Sequence, residues 1–177
     1  CANGSSIDFC LARYLPDGTL DASFNSTGTV VTPVGRGSDL VSAVRIQPDG
    51  KIVVVGTCSD GNVARFCLAR FQTSGALDTS FGGTGTQITP ISGGFHDYAG
   101  AIALQPDGKI IVAGNCDGKF CVARFQLNGA PDTTFSSAGS AITTVGDFNV
   151  DGSGPAGAGV VAGVLNVSYE VVPFTAA

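Results

Sequence analysis

The residues best spaced for covalent chemistry in this chain are its six cysteines, which fall into three near-neighbour pairs: Cys1 and Cys10, Cys58 and Cys67, Cys116 and Cys121. The first two pairs are separated by nine residues and the third by five. Each pair brackets a polar, Gly-containing stretch between apolar, β-prone runs. A hairpin would set such cysteines opposite each other, within the reach a disulfide requires. Three disulfides in turn imply an oxidising compartment. Zinc is the competing chemistry, but zinc sites use tighter Cys spacing or companion histidines. This chain has one His and no Cys-x-x-Cys. Cys1, followed by Ala-Asn-Gly-Ser-Ser, also resembles the lipid-bearing start of a bacterial lipoprotein, which would strand Cys10. The shared spacing favours the disulfide.

Other candidate chemistry is sparse. His96 is the sole histidine, and it lies in Gly-Gly-Phe-His-Asp-Tyr, a loop between predicted strands. An exposed loop histidine explains it better than a catalytic triad does. The Asp residues occupy repeat turns rather than a facing pair, so glycoside hydrolysis is not supported. Gly82-Gly83-Thr84-Gly85 precedes a strand and lacks the helix N-terminus that binds phosphate. Asp147-Phe148-Asn149-Val150-Asp151-Gly152 matches the first half of a calcium loop, with oxygen ligands Asp147, Asn149 and Asp151 at alternate positions. Ala158 stands where the loop's last acid belongs, and a plain polar turn is the competing reading. No other cofactor is expected. Asn3, Asn25 and Asn166 open glycosylation sequons. Arg13, Arg70 and Arg124 recur at one repeat position. They either line a ligand surface or, as we expect, pair with the turn acids Asp21, Asp78 and Asp132.

The elements that must hold these residues are strands and turns. Glu170 is the single glutamate, so the acids are almost wholly Asp, a turn residue. Gly is frequent (26 residues) and only 13% of residues are charged. A net charge of −5 with scattered cations argues against a nucleic-acid partner. No apolar run reaches the roughly 20 residues of a membrane-spanning helix. The chain opens on Cys rather than Met and shows no signal peptide, which reads as a mature chain whose leader has been removed.

Self-comparison gives the architecture. Phe9-Cys10-Leu11-Ala12-Arg13-Tyr14 recurs as Phe66-Cys67-Leu68-Ala69-Arg70-Phe71 and as Phe120-Cys121-Val122-Ala123-Arg124-Phe125. Phe24, Phe81 and Phe135 follow at matching distances. Ile46-Gln47-Pro48-Asp49-Gly50-Lys51-Ile52 recurs as Leu104-Gln105-Pro106-Asp107-Gly108-Lys109-Ile110. Pro fixes φ, Asp bonds the local backbone and Gly takes positive φ, so Pro-Asp-Gly between apolar runs is a hairpin turn. The pattern predicts strands over 41–47, 51–58, 66–71 and 86–91. A run such as Ile52-Val53-Val54-Val55 predicts a strand buried on both faces.

These strings, LQPDGKIIVAG, FCVARF and GxLDTSFGGTG, resemble the delta-60 repeat of bacterial secreted and surface proteins, from Phe9 to about Gly139. The resemblance implies a β-propeller architecture with one four-stranded blade per repeat, and secretion, but no particular activity. The expected fold is therefore all-β: propeller-like four-stranded repeats, two full and others partial, completed by a C-terminal strand. Repeats occupy residues 1–146, a Gly/Asp/Pro-rich linker 147–159, and a closing or donor strand 160–177.

The repeat pattern opens at the position of Cys58, so its first strand lacks a partner, while Val160–Phe174 is a surplus β-prone run. That run, with Val160, Val161, Val164, Leu165, Val167, Tyr169 and Val171, either folds back or enters a neighbour at the edge near Ile7–Tyr14. The second option makes a filament. The expected function is a structural subunit of an extracellular or cell-surface filament, sheath or fibre, its partners being copies of itself. The alternative is a secreted or lipid-anchored module binding a glycan or protein. No enzymatic activity is expected.

Overall fold

A computed structural model describes residues 1–3, 6–60 and 63–144. Two short strands, β1 (Ala2–Asn3) and β2 (Ser6–Ile7), pair with each other and lead into β3 (Phe9–Ala12) and β4 (Thr29–Thr32). Two complete antiparallel sheets follow. The first is β5 (Asp39–Ile46), β6 (Ile52–Asp60), β7 (Val63–Phe71) and β8 (Thr86–Thr89). The second is β9 (Asp97–Leu104), β10 (Ile110–Cys116), β11 (Lys119–Phe125) and β12 (Ser140–Thr143). Both are meanders in which sequence neighbours are spatial neighbours. We call β3–β4, β5–β8 and β9–β12 the first, second and third blades; by repeat position β3 corresponds to β7 and β11. Among the described residues no helix is long and apolar enough to cross a membrane.

The Pro-Asp-Gly turns fold as their residue types require. Gly50 takes φ +82° and its amide donates to the Gln47 carbonyl at 2.8 Å, while Asp49 Oδ1 accepts the Lys51 amide. The turn at Gln105–Lys109 repeats this, with Gly108 at φ +82°. The strand expected over 86–91 ends at Thr89, because Pro90 has no N–H to extend the ladder.

Strand β6 is buried on both faces, and its alternation divides the core in two. Val53 and Val55 join Phe66, Leu68 and Phe81 against Ile102, Ile110, Val112 and Phe125 of the third blade. Ile52 and Val54 turn the other way, to Phe9, Phe24, Ala69 and Phe71. Each cluster thus seals one blade boundary.

Three disulfides close the hairpins: Cys1–Cys10, Cys58–Cys67 and Cys116–Cys121, with Cα separations of 5.7, 5.8 and 5.8 Å. In the two complete blades the cysteines do not stand directly opposite each other, which corrects the expectation from the hairpin pattern. Cys58 faces Arg65 and Cys67 faces Gly56; Cys116 faces Lys119 and Cys121 faces Gly114. Each bridge is therefore diagonal. The opposing glycines are required by a register shift in the adjacent strand, which brings a carbonyl close. A Cβ on Gly56 would lie 1.9 Å from the Leu40 carbonyl oxygen, and one on Gly114 would lie 2.0 Å from that of Tyr98.

Candidate functional site

Two features of the described residues could join this molecule to something else: the contacts that run between blades, and the edge of β3. The blade contacts begin with the Arg that follows each Cys-x-Ala run. Arg13 Nε meets Asp21 Oδ2 at 2.7 Å, Arg70 Nε meets Asp78 Oδ2 at 2.8 Å, and Arg124 Nε meets Asp132 Oδ2 at 2.7 Å. The expected Arg–Asp pairing is what the fold contains. Each guanidinium also lies over a Phe ring, Arg13 on Phe24 and Arg70 on Phe81 at 4.7 Å, Arg124 on Phe135 at 5.0 Å. Stacking and a charge-assisted bond at once suit Arg and would not suit Lys.

The carboxylates are held ionised. Hydrogen bonds from Ser23 and the charge of Arg13 keep Asp21 below its ordinary range. Burial raises Asp78, but bonds from Ser80 and Lys51 and the charge of Arg70 outweigh it and bring the carboxyl to about 2. Thr134, Lys109 and Arg124 hold Asp132 well below the usual carboxylate range. Lys51 and Lys109 reach these acids at 3.1 and 3.3 Å. Repeat spacing alone did not reveal those lysine contacts, because Lys51 and Lys109 follow their Pro-Asp-Gly turns and the acids they reach stand two strands further along the chain.

The same arginines cross to the next blade. Arg13 Nη1 donates to the Thr73 carbonyl at 2.5 Å, and Arg70 Nη1 donates to the Leu127 carbonyl. Beside them the Asn25 amide donates to Ser74 and the Gly82 amide to Asn128. Phe24 lies 3.0 Å from where a Cβ on Gly75 would stand, and Phe81 lies 2.9 Å from the equivalent point on Gly129. A residue larger than Gly would push the rings off. Each boundary is thus one repeated joint of Arg, Phe and a glycine turn.

A family model described as "Domain of unknown function (DUF5122) beta-propeller" matches residues 2–24, 47–81 and 105–135, half of the chain. The chain belongs to this family. Each matched DUF5122 segment ends on the Phe of the joint, at Phe24, Phe81 and Phe135, and the two longer ones begin at the Pro-Asp-Gly turn. The family description carries a fold and no activity. No curated protein matches the chain.

Within this DUF5122 fold, β3 is the exception. Strands β7 and β11 are paired on both sides, whereas among the described residues β3 pairs with β4 alone. Its far edge borders a largely apolar groove of about 640 Å³ lined by Leu11, Ala12, Val41, Val44, Ile46 and Val54 among others. Val44 is 46% exposed there, whereas Ile102, at the same position of the third blade, is 1% exposed.

Other candidates fall elsewhere. Cys1 is bonded to Cys10. The three disulfides mark an oxidising environment. His96 lies on an exposed loop, its ring stacked on Tyr98 with centroids 5.9 Å apart. Asp117 fastens that loop by accepting from Ser92 Oγ and from the amides of Phe95 and His96. Asn25 is exposed, its side-chain amide donating to the Thr29 carbonyl at 2.7 Å. Asn3 lies in β1. The calcium candidates Asp147, Asn149 and Asp151, the sequon at Asn166, the 147–159 linker and the 160–177 strand all lie outside the described residues.

Proposed function

We propose that this chain is a passive structural subunit of an extracellular, cell-surface assembly, joined head to tail by β-strand addition. In this reading Val160–Phe174 of one copy adds to the open edge of β3 in the next. The supporting observation is that edge: a backbone ladder without a neighbour among the described residues, beside a groove of uncovered Val and Ile side chains. Unpaired edges of this kind recruit strands. The delta-60 resemblance, the disulfides and the low charge fit a durable secreted material. No catalytic role is proposed.

Deletion of residues 160–177 tests the reading. Electron microscopy and sedimentation of the full-length chain should reveal assemblies that the deleted chain does not form. Assembly that survives the deletion overturns strand addition by this segment.

A second reading, a glycan-binding module, is favoured by one observation. Phe95 (64% exposed) and Tyr98 (44%) project with His96 beside a groove lined by Ser38, Thr57 and Ser59. Aromatic faces flanked by hydroxyls suit sugar rings. A monomeric chain that binds a glycan array, and loses binding as Tyr98→Ala, would replace the first reading.

A further inference from the structure

Among the described residues the blade joint occurs twice, and both of its halves recur once more without a counterpart. The donor half is the Arg–Phe face. Phe24 and Phe81 are 1% and 0% exposed because the next blade covers them, whereas Phe135 is 36% exposed. The acceptor half is the glycine turn and the aromatic residue that precedes it. Phe71 and Phe125 are fully buried by the preceding blade, whereas Tyr14, at the same position of the first blade, is 62% exposed. Gly75 and Gly129 are in contact with a Phe ring, whereas a Cβ on Gly18 would have nothing within 4 Å.

The unused acceptor is already folded as an acceptor. In the first blade the Gly18 amide donates to the Leu15 carbonyl at 2.9 Å, and the equivalent bonds in the other two turns, Gly75 to Gln72 and Gly129 to Gln126, are also 2.9 Å. Gly18 takes φ +85°, against +88° and +87° for Gly75 and Gly129. Among the described residues nothing donates to the carbonyls of Pro16 and Asp17, which stand where Thr73 and Ser74 accept from the blade before them. The unused donor is also preset, since Asp132 holds the Arg124 guanidinium over Phe135.

We infer that the third blade of one copy docks on the first blade of a second copy through this same joint. Phe135 covers Gly18 and Tyr14 of the second copy, Arg124 Nη1 donates to its Pro16 carbonyl, and the Ser136 amide donates to its Asp17 carbonyl. The occupant is a second copy because each half is the counterpart of a contact that this chain makes with itself. The two halves are different surfaces, so the interface is heterologous: copies follow one another head to tail, as a ring where the rotation between them closes and as a filament where it does not. It rests on the head-to-tail assembly proposed above and names the contact that aligns the added strand, since the glycine turn directly follows β3.

The test uses the full chain, with Phe135→Asp to spoil the donor half and Tyr14→Asp to spoil the acceptor half. Both side chains are exposed, and circular dichroism should show that both variants fold. Sedimentation of either variant alone should report self-association at least about tenfold weaker than that of the unaltered chain. An equimolar mixture has one intact joint per pair, so it should form species that stop at two copies. Association of the single variants at the unaltered strength, or a mixture that grows past two copies or stays monomeric, overturns the inference. The residue 160–177 deletion separates this from strand addition. If the deletion abolishes assembly while Phe135→Asp does not, strand addition stands and the joint falls; the reverse pattern spares the joint alone.

Discussion

Arg70 hydrogen-bonds the carbonyl of Leu127, in the next blade, with the same guanidinium that holds Asp78 in its own. One side chain thereby ties a strand, its following turn and the neighbouring sheet. The Arg70 side chain is 5% exposed and Asp78 is 7% exposed, so the pair works with little competition from water. Arg70→Ala should destabilise the chain by about 3 kcal/mol, because it leaves a buried carboxylate with only Lys51 to neutralise it. Arg70→Lys should recover less than half of that loss, since an ammonium lacks the planar fork. Urea denaturation of the two variants checks both figures.

The acid limb of stability follows from Asp78. Its ordinary value is 3.8, and the fold lowers it to about 2. A depressed carboxyl contributes stability that is complete above its unfolded value and is lost as pH falls through the folded one. The urea midpoint should therefore hold steady down to roughly pH 4 and decline between about pH 4 and pH 2. Asp132, also depressed, extends the decline in the same direction. Asp78→Asn should start lower at neutral pH and fall less steeply over that window.

Ser26 adopts φ +61°, a left-handed conformation that its counterpart in the second blade, Gly83 at φ +79°, takes without a side chain. Ser26→Gly should stabilise the chain by about 1 kcal/mol by removing that cost. A rise in thermal midpoint with unchanged circular dichroism would bear this out; a fall would mean that the Ser hydroxyl contributes more than the strain costs.

Gly56 is the reverse case. Its Cβ would strike the Leu40 carbonyl oxygen at 1.9 Å and the Phe9 ring at 2.9 Å. Gly56→Ala should cost more than about 2 kcal/mol, because a backbone carbonyl cannot move aside as a flexible side chain can. In the unassociated chain, Gly18→Ala has open space around it and should show only the smaller penalty of its positive φ, about 1 kcal/mol.

Removing Cys58 and Cys67 together, as Ser, should cost about 2 to 3 kcal/mol, in keeping with the short loop they close. The measurement is a urea midpoint for the double variant against the unaltered chain under oxidising conditions.

Much of this fold is legible in the residues. Pro48-Asp49-Gly50 and Pro106-Asp107-Gly108 specify their turns locally, and the repeat period is enough to pair Arg70 with Asp78. The run from Ile52 to Val55 announced a strand with two buried faces. Contacts between blades were harder to read. Arg70 and Leu127 are 57 residues apart, and nothing in a repeat pattern says which turn of which unit a guanidinium will meet. The diagonal disulfides were hidden for a related reason. They depend on a register shift in β5 and β9, which follows from how neighbouring strands pack and leaves only Gly56 and Gly114 as its trace in the sequence.

Amide hydrogen exchange along β3 at increasing protein concentration bears most directly on head-to-tail assembly. The amides of Phe9 to Ala12 should gain protection as concentration rises, approaching that of Phe66 to Ala69 in β7, because their open edge becomes paired by another copy. Protection of β3 that is the same at every concentration would contradict the account.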